Sequence, residues 1–423
     1  MNITVSPKKN LRFETDIPAD KSISHRAVML GAIAKGDTRI KNFLTGEDCV
    51  STVNCLRAMG VSAELNGAEA TVRGRGLRGL RAPSAPLDAG NSGTAMRLIL
   101  GILAGQGFTS RVIGDESLSR RPMNRVITPL SQMGAQIEAS RGRAPLTVTG
   151  GPLRGIDYDM PIASAQVKSA ILLASLYAEG PTVVRESPES RNHTEIMLKL
   201  FGADVSSENG IITSRPVPEL RAADITVPGD ISSAAFFIVL GLCSENSEIT
   251  IRNVGVNPTR AGLLDALRAM GADITLSNRR GEGEPTADIT ARSSRLRGAI
   301  IRGSLIPRMI DEIPVFAVCA ALAEGRTVIR DAEELKVKES DRVRTTAEML
   351  RAFGANAEET GDGLIIEGGE HLRGGRVDSK GDHRIAMSAA VAGVCARSGD
   401  TVIEGAECAG ISFPGFFEYP VFN

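Results

Sequence analysis

The chain repeats itself six times, so whatever fold it takes must be built from a repeated unit. One element opens on a polar or charged residue, runs into a helix rich in Ala and Leu, breaks at Gly and continues as a strand. Copies begin near Asp20 (DKSISHRAVMLGAIAKGDTRIKN), Asn91, Ala163, Asp230, Asp311 and Asp382 (DHRIAMSAAVAGVCARSGDTVIEG). Their starts lie roughly 70–80 residues apart. A second motif, a helix closed by Gly and followed by a strand, recurs as LRAMGVSAEL at 56–65, LSQMGAQIEA at 130–139, LKLFGADVSS at 198–207, LRAMGADITL at 267–276 and LRAFGANAEE at 350–359. Glycine just past a helix takes the left-handed conformation without steric penalty. Its sixth copy is missing, and Phe416-Phe417-Glu418-Tyr419-Pro420 stands where that helix is due.

Each unit therefore reads as β-α-β-α-β-β, an α/β fold class. The period is long for a solenoid. The apolar frames agree while the helix starts differ in chemistry, which suits one scaffold carrying a site. Six units make two three-repeat lobes, expected at 15–226 and at 1–14 with 227–423. The break falls near Val227-Pro228-Gly229. The first strand, about 2–14, is expected to pair with the C-terminal half and replace a strand lost from the incomplete sixth unit.

Composition narrows the partners. The chain has 49 basic and 50 acidic residues, without the basic excess of a nucleic-acid surface. A local basic cleft for a small anion is compatible with that balance. The cysteines (Cys49, Cys55, Cys243, Cys319, Cys395, Cys408) form no CxxC and no metal-ligand spacing, and read as free thiols in a reducing cytoplasm. The start, Met1-Asn2-Ile3-Thr4-Val5, reads as a strand rather than a leader. The apolar runs near 96–104 and 234–243 are too short to span a membrane. The expectation is a cytoplasmic protein, a monomer, with small-molecule partners and neither nucleic acid nor membrane.

The helix starts suit anions. Lys21-Ser22-Ile23-Ser24, Ser92-Gly93-Thr94 and Ser164-Ala165-Gln166 each open a repeat helix. Such an end offers unpaired N–H groups and about half a positive charge. Small residues let a ligand oxygen approach. Simple capping explains any one of these starts; three in equivalent positions point to a shared site. Basic residues cluster at the same ends: Lys21, Arg26, Arg97, Lys168 and Arg384, with Arg120-Arg121, Arg191 and Lys338–Arg342 in loops. The arginine fork matches phosphate and carboxylate. Asp311 and Glu339 lie among these cations as candidate acid or base groups.

These stretches also carry a resemblance. DKSISHR at 20–26, GNSGTAMRL at 90–98, SRRPMNRV at 119–126, ASAQVKSA at 163–170, SRNHTE at 190–195, MIDEIP at 309–314, VKESDR at 337–342, DHRIAM at 382–387 and SFP at 412–414 resemble the 5-enolpyruvylshikimate-3-phosphate synthase family of enolpyruvyl transferases, in the same order and over nearly the whole chain. The resemblance implies two lobes, each of three units about a pseudo-threefold axis (an inside-out α/β barrel), with the substrate cleft between them. It implies no metal and no organic cofactor. Shikimate 3-phosphate would be held by Lys21, Ser22, Arg26, Ser164, Ala165, Gln166, Lys338 and either Arg191 or Ser190, with Asp311 facing the 5-hydroxyl. Phosphoenolpyruvate would be held by Lys21, Gly93, Arg121, Gln166, Arg342 and Arg384. Small Gly93 leaves room beside phosphoenolpyruvate and implies sensitivity to glyphosate.

The implied chemistry is addition of the 5-hydroxyl to C2 of phosphoenolpyruvate, then loss of phosphate. Asp311 is the expected base for the hydroxyl; Glu339 and Lys21 share the proton traffic at C3. The chain departs from the family at Ala19-Asp20, at Leu98 and at Gly410-Ile411, where the family carries respectively Gly-Ser, Pro and a late Lys. The sister enzymes that act on a UDP-amino sugar carry a Lys-Asn pair and a loop cysteine, absent here at Lys21-Ser22 and 114–125. RNA 3′-phosphate cyclases, which share the unit, need a nucleophilic histidine and ATP.

Overall fold

A single sheet pattern recurs through the computed structural model, which describes residues 1–281, 283–369 and 371–423. The second repeat shows it in full. Leu87–Asp88 lies parallel to Thr109–Ile113. That strand pairs antiparallel with Arg143–Thr149, and Arg143–Thr149 pairs with Gln136–Ser140. The Gly93–Ala104 and Asn124–Met133 helices provide the crossovers. Strand residues alternate between buried and exposed, as in eBeBe over Asp37–Lys41, so one sheet face packs on helices and the other meets water.

Contacts divide the chain into two compact units, Ala19–Val227, and Met1–Pro18 with Pro228–Asn423. Each borrows a strand from sequence beside the crossing. Ile225–Thr226, at the end of the third repeat, lies parallel to Asp37–Lys41 and completes the first repeat's sheet. Arg12–Thr15, which precedes the first repeat, lies parallel to Glu248–Gly255 and completes the fourth. Asn2–Val5 runs antiparallel to Thr401–Glu404, the place a hairpin strand holds in the other sheets. The amino-terminal segment thus serves two sheets, where the sequence reading expected one pairing.

The central helix of each repeat is buried on nearly every face. Ile231–Cys243 is buried from Ile231 to Leu242, and His383–Cys395 from His383 to Val394. A helix apolar all round belongs inside a core. Small residues permit close approach: a Cβ on Gly101 would sit 2.2 Å from the carbonyl oxygen of Ala170 on the Ala165–Ser175 helix. Gly101→Ala is expected to destabilise the protein by about 1–3 kcal/mol through overpacking, read as an earlier urea midpoint with an unchanged slope. In place of the missing sixth motif, turns at Ala406–Ile411, Phe416–Glu418 and Pro420–Phe422 fold back. Phe416 packs against Phe236 at 5.4 Å and Phe422 at 4.3 Å between ring centroids. Aromatic packing replaces the helix. Among the described residues no helix is long and apolar enough to cross a membrane.

Candidate active site

In the Ala19–Val227 unit, three helix starts carry the predicted anion ligands. Asp20 and Ser92 cap their helices, accepting from Ile23 N at 2.8 Å and Ala95 N at 3.1 Å. Ser164 caps more loosely, at 3.5 Å from Val167 N, a length at which a hydroxyl is easily drawn to a better partner. Ala165 opens that helix and presents one of its first N–H groups. Lys21 Nζ lies 3.1 Å from Asp48 Oδ2.

The second and third helices are joined through side chains. Arg97 Nη1 donates to Gln166 Oε1 at 2.8 Å, and Gln166 Nε2 donates to Thr94 Oγ1 at 2.9 Å. Arg121 Nη2 donates to Asn91 Oδ1 at 2.8 Å. A Cβ on Gly93 would lie 2.7 Å from Arg97 Nη1 and 3.4 Å from Arg121 Nη1, so Gly93 sits beside two guanidinium groups. Arg97, a basic residue with no ligand assigned to it from sequence, stands one turn after Gly93, and that spacing is its signal in the sequence.

Other predicted residues are bound up in the protein. Arg26 is buried and donates to Thr194 Oγ1 at 2.6 Å, Ser169 Oγ at 2.7 Å and the Ser22 carbonyl at 2.8 Å. Ser190 donates its hydroxyl proton to Glu186 Oε2 at 2.6 Å; the neighbouring Arg191 is half-buried. Lys168, read from sequence as one of the cations near the helix starts, is buried between Glu186 at 2.6 Å and Glu195 at 2.7 Å. It neutralises interior carboxylates. His25 is buried with Nδ1 2.7 Å from Thr52 Oγ1. Burial, then the charges of Lys21 and Arg26, hold its pKa well below 6.5. The unfolded chain therefore binds a proton near pH 6.5 that the folded chain refuses, and stability falls as pH drops below that value. His25→Gln is expected to flatten the decline in melting temperature between pH 7 and pH 5.

In the other unit the acid and base candidates surround one cation. Arg342, the first residue of the Arg342–Ala352 helix, is buried. It donates to Asp382 from Nε at 2.9 Å and Nη2 at 3.2 Å, to Asp311 from Nη1 at 3.2 Å and to Glu339 from Nη2 at 2.7 Å. Burial opposes its charge, but Asp382, Glu339 and Asp311 together raise its pKa above the ordinary guanidinium value. Lys338 Nζ stands 3.4 Å from Asp311 Oδ1. Asp382 caps the His383–Cys395 helix, accepting from Arg384 N at 2.9 Å. Arg384 is buried, and its Nε has no acceptor among the described residues. A buried N–H donor calls for a partner, and an anionic ligand would provide one. Arg342 and Arg384, both expected on phosphoenolpyruvate, thus differ: one guanidinium grips carboxylates, the other has an unused donor.

Comparison with known proteins gives one answer. The family EPSP synthase (3-phosphoshikimate 1-carboxyvinyltransferase) matches residues 5–419. A 3-phosphoshikimate 1-carboxyvinyltransferase of Thermoanaerobacter sp. (strain X514) is 56% identical over 420 residues, covering 99% of both chains. One from Citrifermentans bemidjiense is 53% identical over 418 residues, covering 98% of this chain and 97% of the relative. A solved EPSP synthase from Acinetobacter baumannii superposes with a TM-score of 0.88 at 46% identity, covering 99% of this chain and 97% of that one. With its repeat, its helix starts and its full-length likeness to these enzymes, the chain belongs to the EPSP synthase family.

Proposed function

We propose that the protein transfers the enolpyruvyl group of phosphoenolpyruvate to the 5-hydroxyl of shikimate 3-phosphate and releases phosphate, a step of aromatic amino-acid biosynthesis. It acts as a cytoplasmic monomer on these two small molecules. The observation that carries the mechanism is Asp311. Its carboxylate is not used to cap the Ile313–Leu322 helix but stands between Lys338 and Arg342.

Shikimate 3-phosphate sits on Lys21, Ser22, the Ser164-Ala165-Gln166 helix start and Lys338. When its 5-hydroxyl displaces one of the cations at Asp311, the carboxylate faces the proton it removes. Oxygen attacks C2 of phosphoenolpyruvate as C3 takes a proton, and the tetrahedral adduct then expels phosphate while C3 gives a proton back. Glu339 and Lys21 carry those transfers. Lys21, Arg121, Gln166 and Arg384 hold the phosphate and carboxylate of phosphoenolpyruvate, where fixed donors stabilise developing charge. Arg342 acts mainly by organising the carboxylates around it, since four of the five N–H donors of a guanidinium are spent on them.

The test is phosphate release on mixing the protein with both substrates. Release that requires both is expected; release from phosphoenolpyruvate alone contradicts the reading. Gly93→Ala is expected to raise KM for phosphoenolpyruvate about tenfold, because the new methyl would displace the Arg97 guanidinium end that donates to Gln166, one of the proposed phosphoenolpyruvate ligands. The same substitution is expected to weaken inhibition by glyphosate, measured as a higher inhibition constant against phosphoenolpyruvate.

A further inference from the structure

We infer that Arg260 is a positioning residue for the reaction, holding the turn from which Asp311 is presented; this rests on Asp311 being the base. Three helices open the core of the unit formed by Met1–Pro18 and Pro228–Asn423. Two are capped by their own aspartate: Asp230 accepts from Ser232 N at 2.8 Å, and Asp382 from Arg384 N at 2.9 Å. The third, Ile313–Leu322, has no side-chain cap. Glu312 stands at the cap position, and Asp311, one residue earlier, pairs with Lys338 and Arg342. Something must hold the turn in that uncapped form.

Glu312 does so through Arg260. Arg260, just before the Gly262–Ala269 helix, donates from Nη1 to both carboxylate oxygens of Glu312 at 2.9 Å. Its Nη2 reaches Asp230 at 3.4 Å and also donates to Ser232 Oγ, which itself donates to Glu312. Arg260, Asp230, Ser232 and Glu312 are all buried. Arg342 occupies the matching place one repeat later, between Asp311 and Asp382. The dipeptide Asp311-Glu312 is therefore gripped from both sides, Asp311 by Arg342 and Glu312 by Arg260. A buried ion cluster adds little stability over apolar packing, and fixing one geometry is an attested use of such groups. Here the geometry fixed is that of a carboxylate that must face a hydroxyl.

The test is a double-mutant cycle between Arg260→Met and Asp311→Asn, read on refolded, monodisperse enzyme as kcat, KM for each substrate and the pH profile of kcat. Arg260→Met is expected to lower kcat about 10–100-fold, to leave both KM values within about threefold and to move the acid limb of the profile. Arg260→Lys recovers part of the loss, and Arg260→Met adds nothing once Asp311 is Asn. Where Arg260→Met does not fold, Glu312→Gln takes its place, since it keeps shape and hydrogen bonding while removing the charge that Arg260 grips. Unchanged kcat with a sensitive Asp311→Asn overturns the inference alone, as does an equal further loss in the Asp311→Asn background. An Asp311→Asn enzyme with full kcat overturns both this inference and the role of Asp311 as base.

Discussion

Asp311→Asn is expected to lower kcat about 10²–10⁴-fold, the range that general-base catalysis contributes, with little change in melting temperature. An amide keeps the shape of the side chain and an oxygen that accepts from Arg342 Nη1, so the turn before Ile313 is retained. It cannot take the hydroxyl proton. Asp311 is also part-exposed, with 18% of its side-chain surface accessible, so loss of its charge carries a modest structural cost. Because the same group acts on bound substrate, KM for shikimate 3-phosphate is expected to move far less than kcat. A folded Asp311→Asn enzyme with wild-type kcat would remove the base from the mechanism.

Arg342→Met is expected to be the most damaging single change to stability, at about 3–5 kcal/mol, the usual cost of breaking a buried ion cluster by removing one partner. Asp311, Glu339 and Asp382 would then face one another without the cation between them. Asp382 is fully buried. Its burial opposes ionisation, yet the Arg342 charge holds its pKa below the usual 3.8. In the wild type this contribution is present above that value and lost as pH falls through the depressed folded pKa. In the variant the buried carboxylates gain by protonation, so lowering pH from 7 toward 4 should narrow the gap in unfolding free energy. Chemical denaturation across that range measures it; a gap that stays constant or widens contradicts this account of the cluster.

How much of this was legible in the sequence differs between backbone and side chains. The repeat is visible because each unit must rebuild one apolar frame and close its second helix with glycine, as in LRAMG and LRAFG. The strand exchange is less visible: Arg12–Thr15 and Ile225–Thr226 are short, and nothing local to either says which sheet it joins. The helix starts at Lys21, Gly93 and Ala165 could be read from small residues beside cations. Lys168 shows the limit of that reading. It has the same local signature as an anion ligand, but its partners Glu186 and Glu195 lie in the next loop and helix, at spacings set by tertiary packing. The partners of Arg342 are hidden in the same way: VKESDR displays Glu339 beside it, while Asp311 comes from the start of the same repeat, about 30 residues earlier, and Asp382 from the next repeat. Helical periodicity reports which face is buried, not which distant carboxylate waits there. The missing sixth helix was legible as an absence, but its replacement by Phe413, Phe416 and Phe422 was not.

In the proposed reaction the C–O bond of phosphoenolpyruvate breaks, not its P–O bond. The direct measurement uses phosphoenolpyruvate labelled with ¹⁸O at the bridging oxygen, mixed with shikimate 3-phosphate and the purified protein, and follows the label by mass spectrometry. Addition at C2 followed by elimination sends the bridging oxygen out with the leaving group. Every released phosphate is expected to carry the label, and none is expected to be released without shikimate 3-phosphate. Unlabelled phosphate, with the heavy oxygen retained on the three-carbon fragment, would mean that the P–O bond was cut and would contradict the proposed reaction.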